Sequence, residues 1–286
     1  MIVHLADLSF FEPICSLYLI KGEKIALIDA GPSTTASQVL KSLYERSISP
    51  KDIEYLIVTH PHLDHAGASS LLLKEMGKAK AIIYYTGLKH FLNPEALINS
   101  AKLALGEAYN YMGGMEALNE DRIITVKDEE ELSLGSLQLR FLFSPGHAPH
   151  HMSIFEENSK VLFPADSYCV YFQESGGLLP QSPPPHFDLE RVLSTLRKLK
   201  DLNPKVLCLP HFGKVSENIA EFTDKNIQRF EEWREILKGL INQDFDYIKN
   251  YLLGKYDKEL GIIKRAKLRY LLFDMHVKGF LNYLTI

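Results

Sequence analysis

Three of the chain's eleven histidines fall within six residues, in the run His60-Pro61-His62-Leu63-Asp64-His65. Imidazole nitrogens and a carboxylate at this density suit divalent metal ions, zinc first and iron or manganese next, at ligand distances of about 2 Å. In an extended loop His60 and His62 point to the same side, because side chains alternate along extended backbone. A turn into a following helix then aims Asp64 and His65 at a second point nearby, and two neighbouring ions satisfy this arrangement. The plain alternative is a polar loop, or histidines that cap a helix. That reading suits one histidine better than four ligand-type residues together. Further ligands must come from elsewhere, and three candidates each follow a β-prone run. They are His147 in Ser144-Pro145-Gly146-His147, Asp166 in Phe163-Pro164-Ala165-Asp166, and His211 in Leu209-Pro210-His211. Each repeats the order of strand, tight turn, ligand.

Such residues meet only if several strands end at a common place. The apolar run 55–59 leads straight into His60, and helical spacing resumes over 67–76. The cluster therefore sits on the loop at a strand's C-terminal end, where α/β folds carry their active sites. Upstream, the apolar runs 14–20 and 25–28 read as a hairpin joined by Lys21-Gly22-Glu23-Lys24 and stopped by Asp29-Ala30-Gly31-Pro32, and 37–45 reads as a helix. Strands are expected over 53–59, 81–85, 123–126, 137–143, 153–155, 161–163 and 206–209, with a helix over 189–199. Residues 88–119, rich in Ala, Leu and Tyr, read as inserted helices. The glycine pair and Pro183-Pro184-Pro185 make 176–186 an expected irregular loop. Beyond Gly213 the chain turns amphipathic, charged and helical, divided at Gly254 and Gly261. The expected organisation is a body over 1–215 and a C-terminal helical region over 216–286.

Composition bounds the class. Hydrophobic residues make up 46% and charged residues 24%, the balance of an ordinary soluble globular protein. A net charge of -4 without a long basic run gives no footprint for nucleic acid. The three cysteines, Cys15, Cys169 and Cys208, lie in apolar stretches without CxxC spacing, which fits a reducing cytoplasm. The N-terminus carries Asp7 and Glu12 and lacks a basic n-region and a small-residue cleavage site, so no secretory signal is expected. No segment reaches membrane-spanning length.

The seven ligand candidates follow the pattern HxHxDH and then a histidine, an aspartate and a histidine at later strand ends, which resembles the metallo-β-lactamase superfamily. The resemblance covers roughly residues 1–215. It implies an α/β fold, an αββα sandwich of two mixed sheets with outer helices, here extended by the C-terminal helical region. It implies that His60, His62 and His147 hold one ion, that Asp64, His65 and His211 hold the other, and that Asp166 bridges them. A hydroxide shared by ions about 3.5–4 Å apart then serves as nucleophile, oriented by Asp64, which also takes a proton.

Supporting residues follow from the same comparison. The family places an aspartate at Asp29 that hydrogen-bonds near the ligands, the other reading being a strand-end turn residue. His151 matches the second histidine of a TPGHTPGH-like run and is read as support for the ligands. His150 stands where glycine is usual, and exposure and usefulness are both open to it. Tyr168 and Tyr171 follow Asp166 closely enough for a phenol to donate to a developing oxyanion or leaving group, which makes Tyr168 the second catalytic candidate beside Asp64. Otherwise they are strand aromatics. His186 on the proline-rich loop reads first as a surface residue and second as a substrate contact. His4, His90 and His276 show no partner pattern and are assigned no role, and Cys208 inside its apolar strand reads as a core thiol.

A bridging Asp166 with the Asp64-His65 pair looks like the glyoxalase II and lactonase branches, which points to hydrolysis of a small-molecule thioester, lactone or related ester. The C-terminal helices show no clear match to that family's glutathione-binding residues. Residues 88–119 either form a lid or extend the outer layer and make a homo-oligomer contact. Competing readings are a mononuclear iron dioxygenase acting on a persulfide, a phosphodiesterase, and a metal binder without catalysis. The intact ligand set argues against the last.

Overall fold

The computed structural model describes residues 1–9, 13–261 and 267–285. Glu12, and positions 262–266 and 286 of the C-terminal region, lie outside the described residues. The first sheet holds six strands in chain order: β1 (Ile2–Ser9), β2 (Pro13–Lys21), β3 (Ile25–Ile28), β4 (Ile53–Val58), β5 (Lys80–Tyr84) and β6 (Ile123–Val126). β1 through β3 pair antiparallel and β3 through β6 parallel. The second sheet runs β14-β13-β10-β9-β8-β7, from β7 (Glu131–Ser133), β8 (Gln138–Phe143), β9 (Met152–Glu156), β10 (Val161–Phe163), β13 (Val206–Leu209) and β14 (Gly213–Val215). A two-stranded ribbon, β11 (Val170–Phe172) with β12 (Gly177–Leu179), stands apart.

Alternation along each strand builds three apolar layers. Tyr18, Ile28, Ile57 and Ile82 of the first sheet meet Phe141, Ile154 and Phe163 of the second in the central layer. Their chain neighbours Leu19, Leu27, Leu56 and Ala81 face outward, to a layer shared with helices α1 (Ala36–Glu45), α2 (Leu63–Ala66) and α3 (Ser69–Glu75). Residues 88–119 form α4 (Leu88–Leu92), α5 (Glu95–Leu105) and α6 (Tyr109–Met112). The outer face of the second sheet, with Leu142, Phe155, Leu162 and Leu207, packs on α7 (Leu189–Asp201), α8 (Ile219–Leu240), α9 (Phe245–Leu260) and α10 (Lys267–Thr285). The result is an αββα sandwich whose C-terminal helices share a core with the second sheet.

Three local expectations are corrected. The loop over 176–186 contains β12, because Val170 and Leu179 pair across a turn in which Gly176 takes φ +73°. Gly254 lies inside α9 and does not divide the tail. The break falls earlier, where Asp244 caps α9 by accepting from the Tyr247 N–H at 2.8 Å. Gly261, at φ +61°, does end that helix. The N-terminal hairpin gains a third strand, β1. Among the described residues no helix is long and apolar enough to cross a membrane.

Candidate metal centre

The ends of β4, β8, β10 and β13 converge, and their ligand-type side chains form one buried cluster. His60 follows β4 through Thr59, whose N–H and hydroxyl both donate to Asp29 Oδ1, at 2.8 and 2.9 Å. With its proton given to Asp29, the Thr59 oxygen is left to accept from His60 Nδ1 at 3.1 Å. Asp29 also accepts from His65 Nδ1 at 2.8 Å. It ends β3 with φ +61°, in the left-handed region that Asp tolerates better than most residues. His62 precedes α2 in extended conformation, and its carbonyl accepts from the His65 and Ala66 N–H groups, which turns the chain inward at this point.

The other strand ends complete the cluster. Gly146 takes φ +132°, and a side chain there would run into the Val192 backbone of α7, so glycine is required to deliver His147. His147 Nδ1 donates to the Gln181 carbonyl at 3.3 Å. The Asp166 N–H donates to His151 Nε2 at 3.0 Å, which places the His151 proton on Nδ1, facing Ser144 Oγ at 2.8 Å. The Gln181 side-chain amide donates to Asp166 Oδ1 and to the Tyr168 carbonyl, each at 3.1 Å. His211 follows β13 and bridges to Cys15 of β2.

The outward nitrogens of His60, His65 and His147 are thus all engaged as donors, which aims each Nε2 inward. His62 Nδ1 lies 3.0 Å from both His60 Nε2 and His147 Nε2. Asp166 Oδ2 lies 3.6, 3.2 and 3.2 Å from the Nε2 atoms of His60, His65 and His147, and its Oδ1 lies 3.3 Å from His211 Nε2. Asp64 Oδ2 completes the second group at 3.6 Å from His65 and 3.8 Å from His211. Two sets of four donors result, His60-His62-His147-Asp166 and Asp64-His65-Asp166-His211, with Asp166 in both. Ligands about 2.0–2.1 Å from a tetrahedral ion lie about 3.3 Å from one another, within the range of 3.0 to 3.8 Å that separates the pairs above. Among the described residues His65 Nε2 is buried beside carboxylates with no hydrogen-bond partner, a condition that suits a metal-ligating atom. The donor set therefore fits divalent metal.

Burial, reinforced by neighbouring imidazoles, holds His60 well below the usual histidine range. Burial likewise dominates His147, where it outweighs the attraction of Asp166. His65 and His211 lie well above that range, because Asp166 and its neighbours overcome the burial that opposes them. Metal binding at the second group therefore has protons to displace.

Comparison with known proteins is decisive for the family. Residues 12–211 match the family model described as the metallo-beta-lactamase superfamily. This chain belongs to that superfamily. Members are mostly metal-dependent hydrolases. The metallo-beta-lactamase fold-containing protein ST1585 of Sulfurisphaera tokodaii is 36% identical over 251 residues, covering 86% of this chain and 88% of the relative. The crystal structure of ST1585 superposes with TM-score 0.73 over 99% of this chain and 98% of that one, with 26% identity across that longer span. The hydroxyacylglutathione hydrolase GloC of Haemophilus influenzae is 28% identical over 214 residues, 74% of this chain and 91% of the relative.

The remaining candidates separate cleanly within this metallo-beta-lactamase sandwich. Asp29 holds Thr59 and His65, and His151 accepts from the Asp166 N–H, so both touch the donor cluster from outside. Tyr168 does not fit its expected catalytic role. Its ring is buried against Phe222 and its hydroxyl is engaged with Thr223 Oγ1 at 3.0 Å, so the phenol belongs to the core under α8. Tyr171 also packs edge-on against Phe222. Cys208 is a core thiol between the sheets. His150, His186 and His90 line a cavity of about 620 Å³ that opens on His62, Asp64, His147, Asp166 and His211. His276 lines it too, and its Nδ1 accepts from the Ser182 N–H at 3.0 Å, bracing the loop that carries Gln181. Gln181, His276 and Cys15, whose backbone bridges to that of His211, were missed by sequence reasoning. The one local signal for Gln181 is a polar pair, Gln181-Ser182, set between Pro180 and the run Pro183-Pro184-Pro185.

Asp29→Ala removes the acceptor that orients His65 and Thr59. Metal affinity is expected to fall by about 10–100-fold. Titration of the metal-free variant with zinc in the presence of a competing chelator measures this, and an unchanged affinity would show that Asp29 only shapes the turn.

Proposed function

We propose that this chain is a binuclear metal-dependent hydrolase acting on a thioester, lactone or related ester. The observation that carries the reading is the sharing of one buried carboxylate, Asp166, between two complete donor groups. When bound, a pair of divalent ions supplies Lewis acidity and lowers the pKa of water toward neutrality. His60, His62 and His147 would hold one ion and Asp64, His65 and His211 the other, with Asp166 shared between the two groups. The same-sided Nε2 atoms, locked by Thr59, Asp29 and Gln181, keep the geometry from relaxing when a ligand enters. Asp64 is the most accessible carboxylate of the cluster, with 20% of its side chain exposed, and it faces the cavity. It accepts a hydrogen bond from the attacking water and takes its proton.

A mononuclear iron oxygenase needs a facial set of about three protein ligands. Two groups of four favour hydrolysis instead. The GloC likeness supports a thioester. We also propose that residues 1–215 carry the chemistry while 216–286 brace it, in a reducing cytoplasm consistent with three buried free cysteines.

Metal analysis of the purified protein, joined to assays on thioester, lactone, β-lactam and phosphodiester substrates, tests the reading. Two zinc ions with ester or thioester cleavage are expected. One iron per chain with oxygen consumption on a persulfide would replace it. Asp64→Ala is expected to lower kcat by about a hundredfold or more, the usual contribution of a positioned general base. An unchanged kcat would remove Asp64 from the proton transfer.

A further inference from the structure

The cavity reaches well beyond the ligand cluster, between two helices that contribute no ligand. On one side α5 presents Leu97, Ala101, Ala104 and Leu105, at helical spacing, and on the other α10 presents Leu272 and Met275. All six side chains are only partly buried, so the chain leaves this apolar surface uncovered inside its own walls. Among the described residues no charged side chain of α5 or α10 lines it, and the polar groups these helices add are Ser100 and His276. Ala101 and Ala104 matter because they are small: a larger residue at either position would close the space that the two helices enclose. A wall with so few polar groups cannot read a pattern of donors and acceptors, whereas it gains from any alkyl surface it removes from water.

We infer that the α5–α10 end of this cavity binds the alkyl chain of the substrate's acyl group, making the substrate a medium-chain acyl ester or thioester whose carbonyl lies at the cluster. The inference rests on the hydrolase reading for the position of the carbonyl, and on the cavity walls alone for the alkyl chain. It also gives the inserted helices a role as a substrate wall.

The metal-loaded full chain is to be assayed on p-nitrophenyl esters from acetate to decanoate. kcat/KM is expected to rise about fourfold per added methylene over the first several carbons, the factor equivalent to about 0.8 kcal/mol of transfer free energy. Ala104→Trp fills the space and is expected to lower the octanoate-to-acetate ratio of kcat/KM by roughly tenfold or more. Ala101→Leu, a milder filling, should lower it less. Leu103→Trp, on the outward face of α5 where Leu103 is 88% exposed, serves as the control and leaves the ratio unchanged. A binding readout independent of turnover uses dansyl-undecanoic acid, displaced by decanol but not by ethanol and lost in Ala104→Trp. Ester cleavage with a flat chain-length series and no saturable probe binding overturns the acyl assignment and leaves hydrolysis standing. Saturable probe binding that Ala104→Trp abolishes, with no ester, acyl thioester or lactone cleaved, upholds the alkyl pocket and overturns the hydrolase reading.

Discussion

Asp166→Ala is expected to leave no more than one metal ion per chain and to lower hydrolysis by roughly a thousandfold or more, equivalent to several kcal/mol of lost transition-state stabilisation. The size follows from position. Asp166 places carboxylate oxygens within 3.2 to 3.6 Å of four imidazole nitrogens, and it belongs to both donor groups. Burial raises the pKa of a carboxyl, yet Asp166 is held well below the usual range by His65, His147 and His211, so its charge is present throughout the neutral range. Without it each donor group falls from four members to three, and in the proposed binuclear site the charge that would offset repulsion between two cations disappears. Asp166→Asn keeps the shape and the Gln181 contact while removing the charge, and so separates electrostatics from packing. Metal stoichiometry by elemental analysis, alongside kcat/KM on the best ester, reads both effects, and circular dichroism reports folding. Retention of two ions and of activity within about tenfold would remove Asp166 from the bridging role.

Legibility in the sequence divides along physical lines. His60 to His65 could be read because four ligand-type residues sit in one run, and because the apolar strand before them fixes which end of the sheet they occupy. His147, Asp166 and His211 could be read because each repeats the same order of strand and turn. Asp29 and His151 needed the family pattern, since an aspartate at a strand end has a local turn function as well. Gln181 and His276 were out of reach. Gln181 acts through both its side chain and its backbone carbonyl on residues 15 and 34 positions away in the chain, and His276 acts on Ser182 from 94 positions away. No local pattern encodes such pairings. Tyr168 failed for the same reason in reverse: two residues from Asp166 in sequence, it is turned from the cavity by a kink at Asp166 and pinned by Thr223 of α8. Gly254 misled because glycine in a helix interior costs only about 1 kcal/mol, which packing of Leu252, Leu253 and Tyr256 offsets.

Trp233→Ala is expected to destabilise the protein by about 3–5 kcal/mol, the largest stability loss expected of a single core truncation here. Trp233 is fully buried on α8, stacked on Tyr256 of α9 and packed edge-on against Phe273 of α10, with Phe280 alongside. One side chain therefore joins all three C-terminal helices, and its removal leaves a cavity that the rigid rings around it cannot fill. Trp233→Phe keeps a ring and removes an indole N–H that has no partner among the described residues, so its loss is expected to be well under half as large. The consequence reaches the cluster, because Asn226 of α8 accepts from the Cys169 N–H at 2.8 Å and Thr223 holds Tyr168, both just beyond Asp166. His276 of α10 braces the Gln181 loop from the other side. Trp233→Ala should therefore weaken metal retention as well as lower the urea midpoint, with Trp233→Phe intermediate in both. Denaturation of the metal-free and metal-loaded forms distinguishes the two contributions. A loss below about 1 kcal/mol in the metal-free form would show that the C-terminal helices are held by contacts other than this ring cluster, and that the site does not depend on them for its alignment.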